Sequence, residues 1–132
     1  KVKEYMTGMT EMAKKYGYVT TLYGRRRYLP DINSRNQVVR GLAERNAVNA
    51  PIQGSAADII KVAMIRLWKR LQNENLKSKM VLQVHDELVF DVFPGEEEIL
   101  SVIVKEEMER VSELSVPLTV ECQYGRNWLE AH

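Results

Sequence analysis

Cysteine is nearly absent from this 132-residue sequence, and the single copy, Cys122, cannot close an internal disulfide. That fits a reducing cytoplasm. No long apolar run occurs, so there is no transmembrane candidate and no membrane partner is expected; no secretory signal pattern opens the chain either. Internal repeats and low-complexity stretches are missing. Excess charge is missing too, since the formal net charge is only +1. The first residue is Lys1 rather than Met, as expected of a fragment or a processed chain. What remains is ordinary for a globular protein: 45% hydrophobic and 28% charged residues. A chain this long can bury about two-thirds of its unfolded surface.

The neutral total hides two opposite halves. Between Lys14 and Arg45 lie eight basic residues and two acidic ones. Between Glu87 and Glu121 lie ten acidic residues and two basic ones. A basic half suits a polyanion partner, although a surface dipole without function has the same composition.

Hydrophobic spacing predicts the elements. Val2, Tyr5, Met6, Met9, Met12, Ala13 and Tyr16 recur at three- and four-residue steps, which predicts an amphipathic helix ending at Gly17. Residues 18–23 read as a strand, Gly24 as a turn, and residues 25–29 as a return strand stopped by Pro30. This hairpin carries Arg25, Arg26 and Arg27 beside Tyr23 and Tyr28. Such a set suits phosphate and sugar contacts, and it also suits an edge strand protected by charge. A helix over 37–49 should be ended or kinked by Pro51. Arg45 and Asn49 share one of its faces, and Gln53 extends the polar stripe past the proline. Arg, Asn and Gln reach base edges and sugars; an ordinary wet helix face has the same spacing. Ser55 to Asp58 resembles a capping box. The helix it opens should run to about Asn73 on a stripe of Ala56, Ile60, Ala63, Met64, Leu67 and Leu71, widened by Ile59, Ile65 and Trp68. After Pro94-Gly95, Glu96, Glu97 and Glu98 fit the first turn of a further helix. Leu100, Ile103, Val104, Met108 and Val111 are its buried stripe, and residues 118–124 read as a final strand. Helices grouped against an antiparallel sheet, on one face of it, make the fold α+β, preceded by a helix and a short basic hairpin.

Two β-forming runs, Met80 to Val84 and Leu88 to Val92, meet at His85-Asp86-Glu87. A two-residue loop would pair Val84 with Glu87 and set the two apolar groups on opposite faces. A three-residue loop pairs Val84 with Leu88 and keeps the apolar face continuous; a bulge would do the same. Either way an imidazole and two carboxylates are raised at the end of a hydrophobic hairpin. Adjacent carboxylates repel by roughly 4 kcal/mol at ~4 Å and an effective dielectric of ~20. A divalent cation relieves that, and oxygen donors suit Mg²⁺. A solvated turn with ordinary charges would look alike.

Taken together, these segments resemble the family A DNA polymerases, of the bacterial DNA polymerase I type. Residues 84–90, Val-His-Asp-Glu-Leu-Val-Phe, resemble the family's third catalytic motif. Residues 17–31 resemble the segment after the fingers, residues 43–60 the long segment entering the palm, and residues 125–132 the C-terminus. The likeness covers essentially the whole chain in the family's order.

The resemblance implies template-directed transfer of a deoxynucleotide to a primer 3′ end, in replication or repair. In that family two Mg²⁺ ions serve the attacking oxygen, the α-phosphate and the departing pyrophosphate. Asp86 matches the metal-binding aspartate, Glu87 the adjacent acid, and His85 a residue close to the primer terminus. These three are the catalytic candidates; Asp86 and Glu87 are the metal candidates. Arg45, Asn49 and Gln53 match positions that contact the primer–template duplex, and Arg25, Arg26, Arg27 and His85 join them as DNA-binding candidates. The family's first catalytic motif, with its Asp-Tyr-Ser context, does not occur here, nor does the fingers helix that holds the triphosphate, nor any nuclease motif. Residues 1–50 are therefore expected to be the end of the fingers and residues 51–132 the C-terminal part of the palm. No nucleotide-binding residue is expected in this segment; deoxynucleoside triphosphates are partners of the full-length protein. The isolated chain should be inactive, and its uncovered sheet edge and apolar area favour self-association. The expected location is the cytoplasm, with the nucleoid. The alternative is a non-catalytic nucleic-acid-binding module derived from a polymerase palm. The intact His85-Asp86-Glu87 counts against it, because binding alone needs no metal carboxylate.

Overall fold

Helix α1 (Val2–Tyr16) stops where Gly17 turns left-handed at φ 79°, and the Gly17 amide closes the last turn on the Ala13 carbonyl at 2.8 Å. Lys14 and Lys15 occupy that last turn, where they offset the carbonyl end of the helix dipole. The computed structural model describes residues 1–111, 114 and 117–131. After α1 come β1 (Tyr18–Thr20), β2 (Arg26–Tyr28), α2 (Gln37–Asn73), β3 (Lys79–Val84), β4 (Glu87–Asp91), α3 (Glu97–Glu109) and α4 (Trp128–Ala131). Contacts divide the chain into two compact units, Lys1–Asp58 and Ile59–His132, with α2 contributing to both. Helices combined with two small antiparallel hairpins make the fold α+β, as expected.

In the first unit β1 and β2 pair antiparallel with Tyr18 opposite Tyr28, Val19 opposite Arg27 and Thr20 opposite Arg26. Val19, fully buried, joins Ala13, Leu29, Ile32, Ala43 and Ala47 in a small core. Gly24, at φ 81°, makes the turn that a residue with a Cβ would strain. Helix α2 starts on a real cap: the Asn36 side-chain oxygen accepts from the Val38 amide at 3.0 Å and the Val39 amide at 3.4 Å.

The helix does not end at Pro51. α2 is one helix of 37 residues with Pro51 inside it. Pro51 cannot donate to the Ala47 carbonyl, and the ring itself is buried. The expected capping box is likewise no helix start. Ser55 and Asp58 lie inside α2, and their side chains serve the first hairpin.

In the second unit Leu67 and Leu71 of α2 pack with Leu100, Ile103 and Val104 of α3, and Leu88, Phe90 and Val92 lie against this core. The stripe is narrower than expected, because Ile65 and Trp68 are more than half exposed and Ala56 is exposed as well. α2 ends in a left-handed Asn75, φ 56°, with the Leu76 amide on the Leu71 carbonyl at 3.0 Å. Arg70 then reaches α3, donating to Glu106 at 2.6 Å and to Glu107 at 3.2 Å. That hydrogen bond to Glu106 raises the pKa of Arg70 above its ordinary value and lowers that of Glu106.

Of the two expected forms of the second hairpin, the bulged one occurs and the three-residue loop does not. Val84 pairs with Glu87, so the loop is only His85-Asp86, and a register shift between Met80 and Leu82 restores Met80 opposite Phe90. The extra residue, Val81, lies within β3 instead of the turn. No strand forms over residues 118–124, and among the described residues β3 and β4 pair only with each other. Alternating residue types suit a strand but do not supply a ladder. This segment is tied to α3 by other groups: the Val120 amide donates to Glu109 at 3.4 Å and the Tyr124 hydroxyl to the Glu97 carbonyl at 2.9 Å. The expected C-terminal stretch ends at His132, which lies outside the described residues.

Glu96 is also not where its spacing suggested. It precedes α3, and its carboxylate accepts from the Lys77 amide at 3.0 Å, the Ser78 amide at 2.8 Å and the Ser78 hydroxyl at 2.7 Å. Buried Ser78 in turn accepts from the Phe93 amide at 2.9 Å, so one node ties the two strands together at the open end of the β3–β4 hairpin. The Lys77 amide, then Ser78, hold the Glu96 pKa below the usual carboxylate range. A carboxylate with a depressed folded-state pKa contributes stability above its unfolded value, ~4.3, that is lost as pH falls through the folded value. Urea midpoints of the second unit are therefore expected to drop as pH falls below about 4, and Glu96→Gln to flatten that dependence. An equally steep fall in the variant would assign the acid sensitivity elsewhere.

Candidate functional site

Continuing α2 through Pro51 gives its outer face a single period. Asn46, Asn49, Ala50, Gln53 and Gly54 follow one another at alternating steps of three and one, the repeat of one helical face. This face and the first hairpin enclose an open cleft of about 420 Å³ lined by Asn49, Gln53, Arg25, Arg26 and Arg27 among others. Five of the DNA-binding candidates thus meet in one place. Arg45 does not line the cleft; it is exposed on the same helix, one position from Asn46. Over the eight residues from Arg45 to Gln53 the helix rises ~12 Å.

The three arginines are not equivalent. Arg25 Nε donates to Asp58 Oδ1 at 2.6 Å, and Asp58 is buried on α2. Arg26 sits over the Tyr18 ring, 4.5 Å from its centroid, and Tyr18 meets Tyr28 edge to face at 5.6 Å. Its hydrogen bond with Tyr28, and then Tyr18, raise the Arg26 pKa above its ordinary value, so it is a permanent cation. Arg27 is exposed opposite buried Val19.

In the second unit, His85 and Asp86 form the exposed tip of the β3–β4 hairpin, and half-buried Glu87 begins β4. His85 takes a left-handed backbone, φ 53°, which is uncommon for a residue with a side chain. The Gln83 side-chain amide donates to the His85 carbonyl at 2.6 Å and braces this turn. Asp86 and Glu87 border an open trough whose other side includes Glu121, Gln123 and Tyr124. Two consecutive, accessible carboxylates on a braced turn offer an anchorage for a hard cation.

Comparison with known proteins supplies the family. A family model described as DNA polymerase family A matches residues 1–130. The chain belongs to DNA polymerase family A. It is 55% identical over 130 residues to DNA polymerase I of Geobacillus stearothermophilus, covering 98% of this chain and 15% of that protein. It is 54% identical over 127 residues to DNA polymerase I of Mycobacterium bovis, covering 96% of this chain and 14% of that protein. Among solved structures it is similar to the POL domain of Pol1 from M. smegmatis, in complex with DNA primer-template and dNTP. The TM-score there is 0.95 at 50% identity, covering 98% of this chain and 23% of that one. The chain therefore spans only a small part of the polymerases it matches.

For a family A polymerase, a divalent metal must fit the donors present. Asp86 and Glu87 are hard oxygen donors, which suits Mg²⁺ in kind. Among the described residues no group of three or more His, Cys, Asp or Glu could hold an ion. The pair thus fits as part of a coordination shell, not as a whole cage. Residues that sequence reading missed are Asn46, Thr21, Ser55, Gly54 and Asp58. Carrying the helical period through Pro51 would have found Asn46 and Gly54; Thr21, Ser55 and Asp58 give no such signal, because their link spans more than thirty residues of chain.

Proposed function

We propose that this chain is part of a DNA-directed DNA polymerase, with residues 1–50 the end of the fingers and residues 51–132 the C-terminal part of the palm. The parent adds deoxynucleotides to a primer 3′ end under template direction, in the cytoplasm at the nucleoid. The observation that carries this reading is the 0.95 TM-score to a polymerase domain in complex with primer-template and dNTP. The cleft agrees with it. Permanent cations at Arg26 and Arg27 suit phosphates, and the amides of Asn49 and Gln53 suit base edges and sugars. Arg45, Asn49 and Gln53 serve a polymerase best from the minor-groove side, where all base pairs share acceptors and matched ends can be checked without reading sequence.

Asp86, with support from Glu87, would hold Mg²⁺ at the primer terminus near His85. When bound, Mg²⁺ supplies charge stabilisation to the α-phosphate and the leaving pyrophosphate. This chain's own part is to present the carboxylates on a braced turn in the second unit and to hold the duplex through the cleft of the first. The 132 residues alone, with half of the family's carboxylates, extend no primer, and their uncovered apolar surface favours self-association.

The test is primer–template binding by the parent polymerase across salt concentrations. Replacing Arg27 by Ala is expected to lower the slope of log affinity against log salt by about one. Arg45→Ala is expected to change extension from a mismatched end relative to a matched one by about tenfold. Salt-independent binding, with equal extension from both ends in the variant, would remove these residues from the DNA interface.

A further inference from the structure

The turn between β1 and β2 is pinned to α2 by more than its size requires. Asp58 has a side chain only 7% exposed, and both of its oxygens are used. Thr21 Oγ1 donates to Oδ2 at 2.6 Å and Arg25 Nε donates to Oδ1 at 2.6 Å. One turn back along the helix, Ser55 Oγ accepts from the Leu22 amide at 2.9 Å, and the Gly54 carbonyl faces Arg25 Nη2 at 3.5 Å. Gly54 leaves room for the Thr21 side chain against α2, since a Cβ there would lie 2.6 Å from Thr21 Cγ2. The Thr21 hydroxyl also accepts from the Arg25 amide at 3.2 Å, which locks the turn on itself.

A carboxylate beside a DNA-facing cleft opposes phosphate unless it is withdrawn and neutralised. Asp58 is both. Arg25, in turn, has its Nε committed to Asp58, while Arg26 sits over the Tyr18 ring. We propose that Arg25 and Asp58 are an anchor pair and not a DNA contact. Asp58 is a positioning residue: through Thr21 and Arg25 it fixes the turn, so that Arg26 and Arg27 share one cleft with Asn49 and Gln53. This rests on the polymerase reading above and adds to it which arginine of the three faces the protein.

A double-mutant cycle in the parent polymerase separates the possibilities. Fluorescence anisotropy with a labelled primer–template, at several salt concentrations and well below each variant's melting temperature, compares wild type, Arg25→Met, Asp58→Asn and the double variant. Each single change is expected to raise Kd about tenfold and to lower the salt slope, with the double variant no worse than either, because both remove the same anchor. Single-turnover incorporation at saturating DNA should stay within about threefold of wild type, since the His85–Glu87 turn is untouched. Arg25→Lys should behave like Arg25→Met, because an ammonium cannot reproduce a guanidinium held through Nε; a phosphate contact would survive that change. The anchor is overturned if the double variant loses about a hundredfold, the product of the singles, if Arg25→Lys keeps wild-type affinity, or if Asp58→Asn binds as wild type does. Should Asp58→Asn not fold, Arg25→Lys decides alone. A wild-type polymerase that binds no primer–template would overturn the underlying reading instead, before any variant is compared.

Discussion

Asp86→Ala is expected to lower nucleotide incorporation by the parent polymerase at least about a thousandfold, with primer–template affinity kept within about twofold. The size follows from the chemistry asked of one carboxylate. Charge stabilisation by a bound metal is worth several kcal/mol in the transition state, and each ~1.4 kcal/mol is tenfold in rate. The selectivity follows from the geometry. Asp86 is exposed in a two-residue loop, and the core beneath it is built from Leu88, Phe90, Leu100 and Ile103, none of which it supports. An exposed loop substitution of this kind changes stability by about 0.5 kcal/mol or less. In the proposed reading, binding falls to the arginines and amides of the first unit, which this substitution leaves untouched. Glu87→Ala should cost less than Asp86→Ala, because Glu87 is half-buried at the start of β4 and adjoins the tip instead of forming it. Steady-state incorporation and anisotropy on the same preparations make the measurement. Parallel loss of rate and binding would indicate damage to the fold, and full activity in Asp86→Ala would favour a binding module that does no chemistry through this turn.

The features legible in the sequence are those set by neighbours in the chain. Gly17 ended α1 because a left-handed cap needs no partner beyond the helix itself. The two hairpins, the basic cleft residues and the Leu67, Leu71, Leu100 and Ile103 stripe follow from periodicities of two and 3.6. What was not legible depends on distant partners. Pro51 is a helix breaker by local rules, yet α2 passes through it, since one missing hydrogen bond is small beside the burial of Ala43, Ala47, Ala63 and Leu67 on either side. Ser55 and Asp58 have the pattern of a cap, but the hairpin at Thr21–Arg25 claims their oxygens. The turn at His85 could be written with three residues or with two and a bulge. Side-chain alternation is satisfied by both, and only the left-handed His85 and the extra Val81 settle which occurs. Residues 118–124 have strand-like composition and no ladder, a distinction composition cannot make.

Leu67→Ala is expected to destabilise the second unit by about 3 kcal/mol, and Trp68→Ala, one residue away, by less than about 1 kcal/mol. Sequence reading placed both in one apolar stripe. The structure separates them by the ~100° that consecutive helical residues differ in direction. Leu67 is fully buried against Leu100, Ile103 and Val104, whereas Trp68 is 55% exposed. Removing the leucine leaves a cavity among residues held by two helices and a strand, so little can collapse to fill it. Removing the indole deletes surface that water already reaches. Urea unfolding of the 132-residue chain reads the contrast as a shift in midpoint at unchanged slope. The same core supports β4, through Leu88 and Phe90, and β4 begins at Glu87. Leu67→Ala should therefore also make incorporation by the parent polymerase fail at a lower temperature, while Trp68→Ala leaves that temperature unchanged. Equal midpoints for the two variants would mean that Trp68 is as buried as Leu67, and that α2 does not pack on α3 through the Leu67 face.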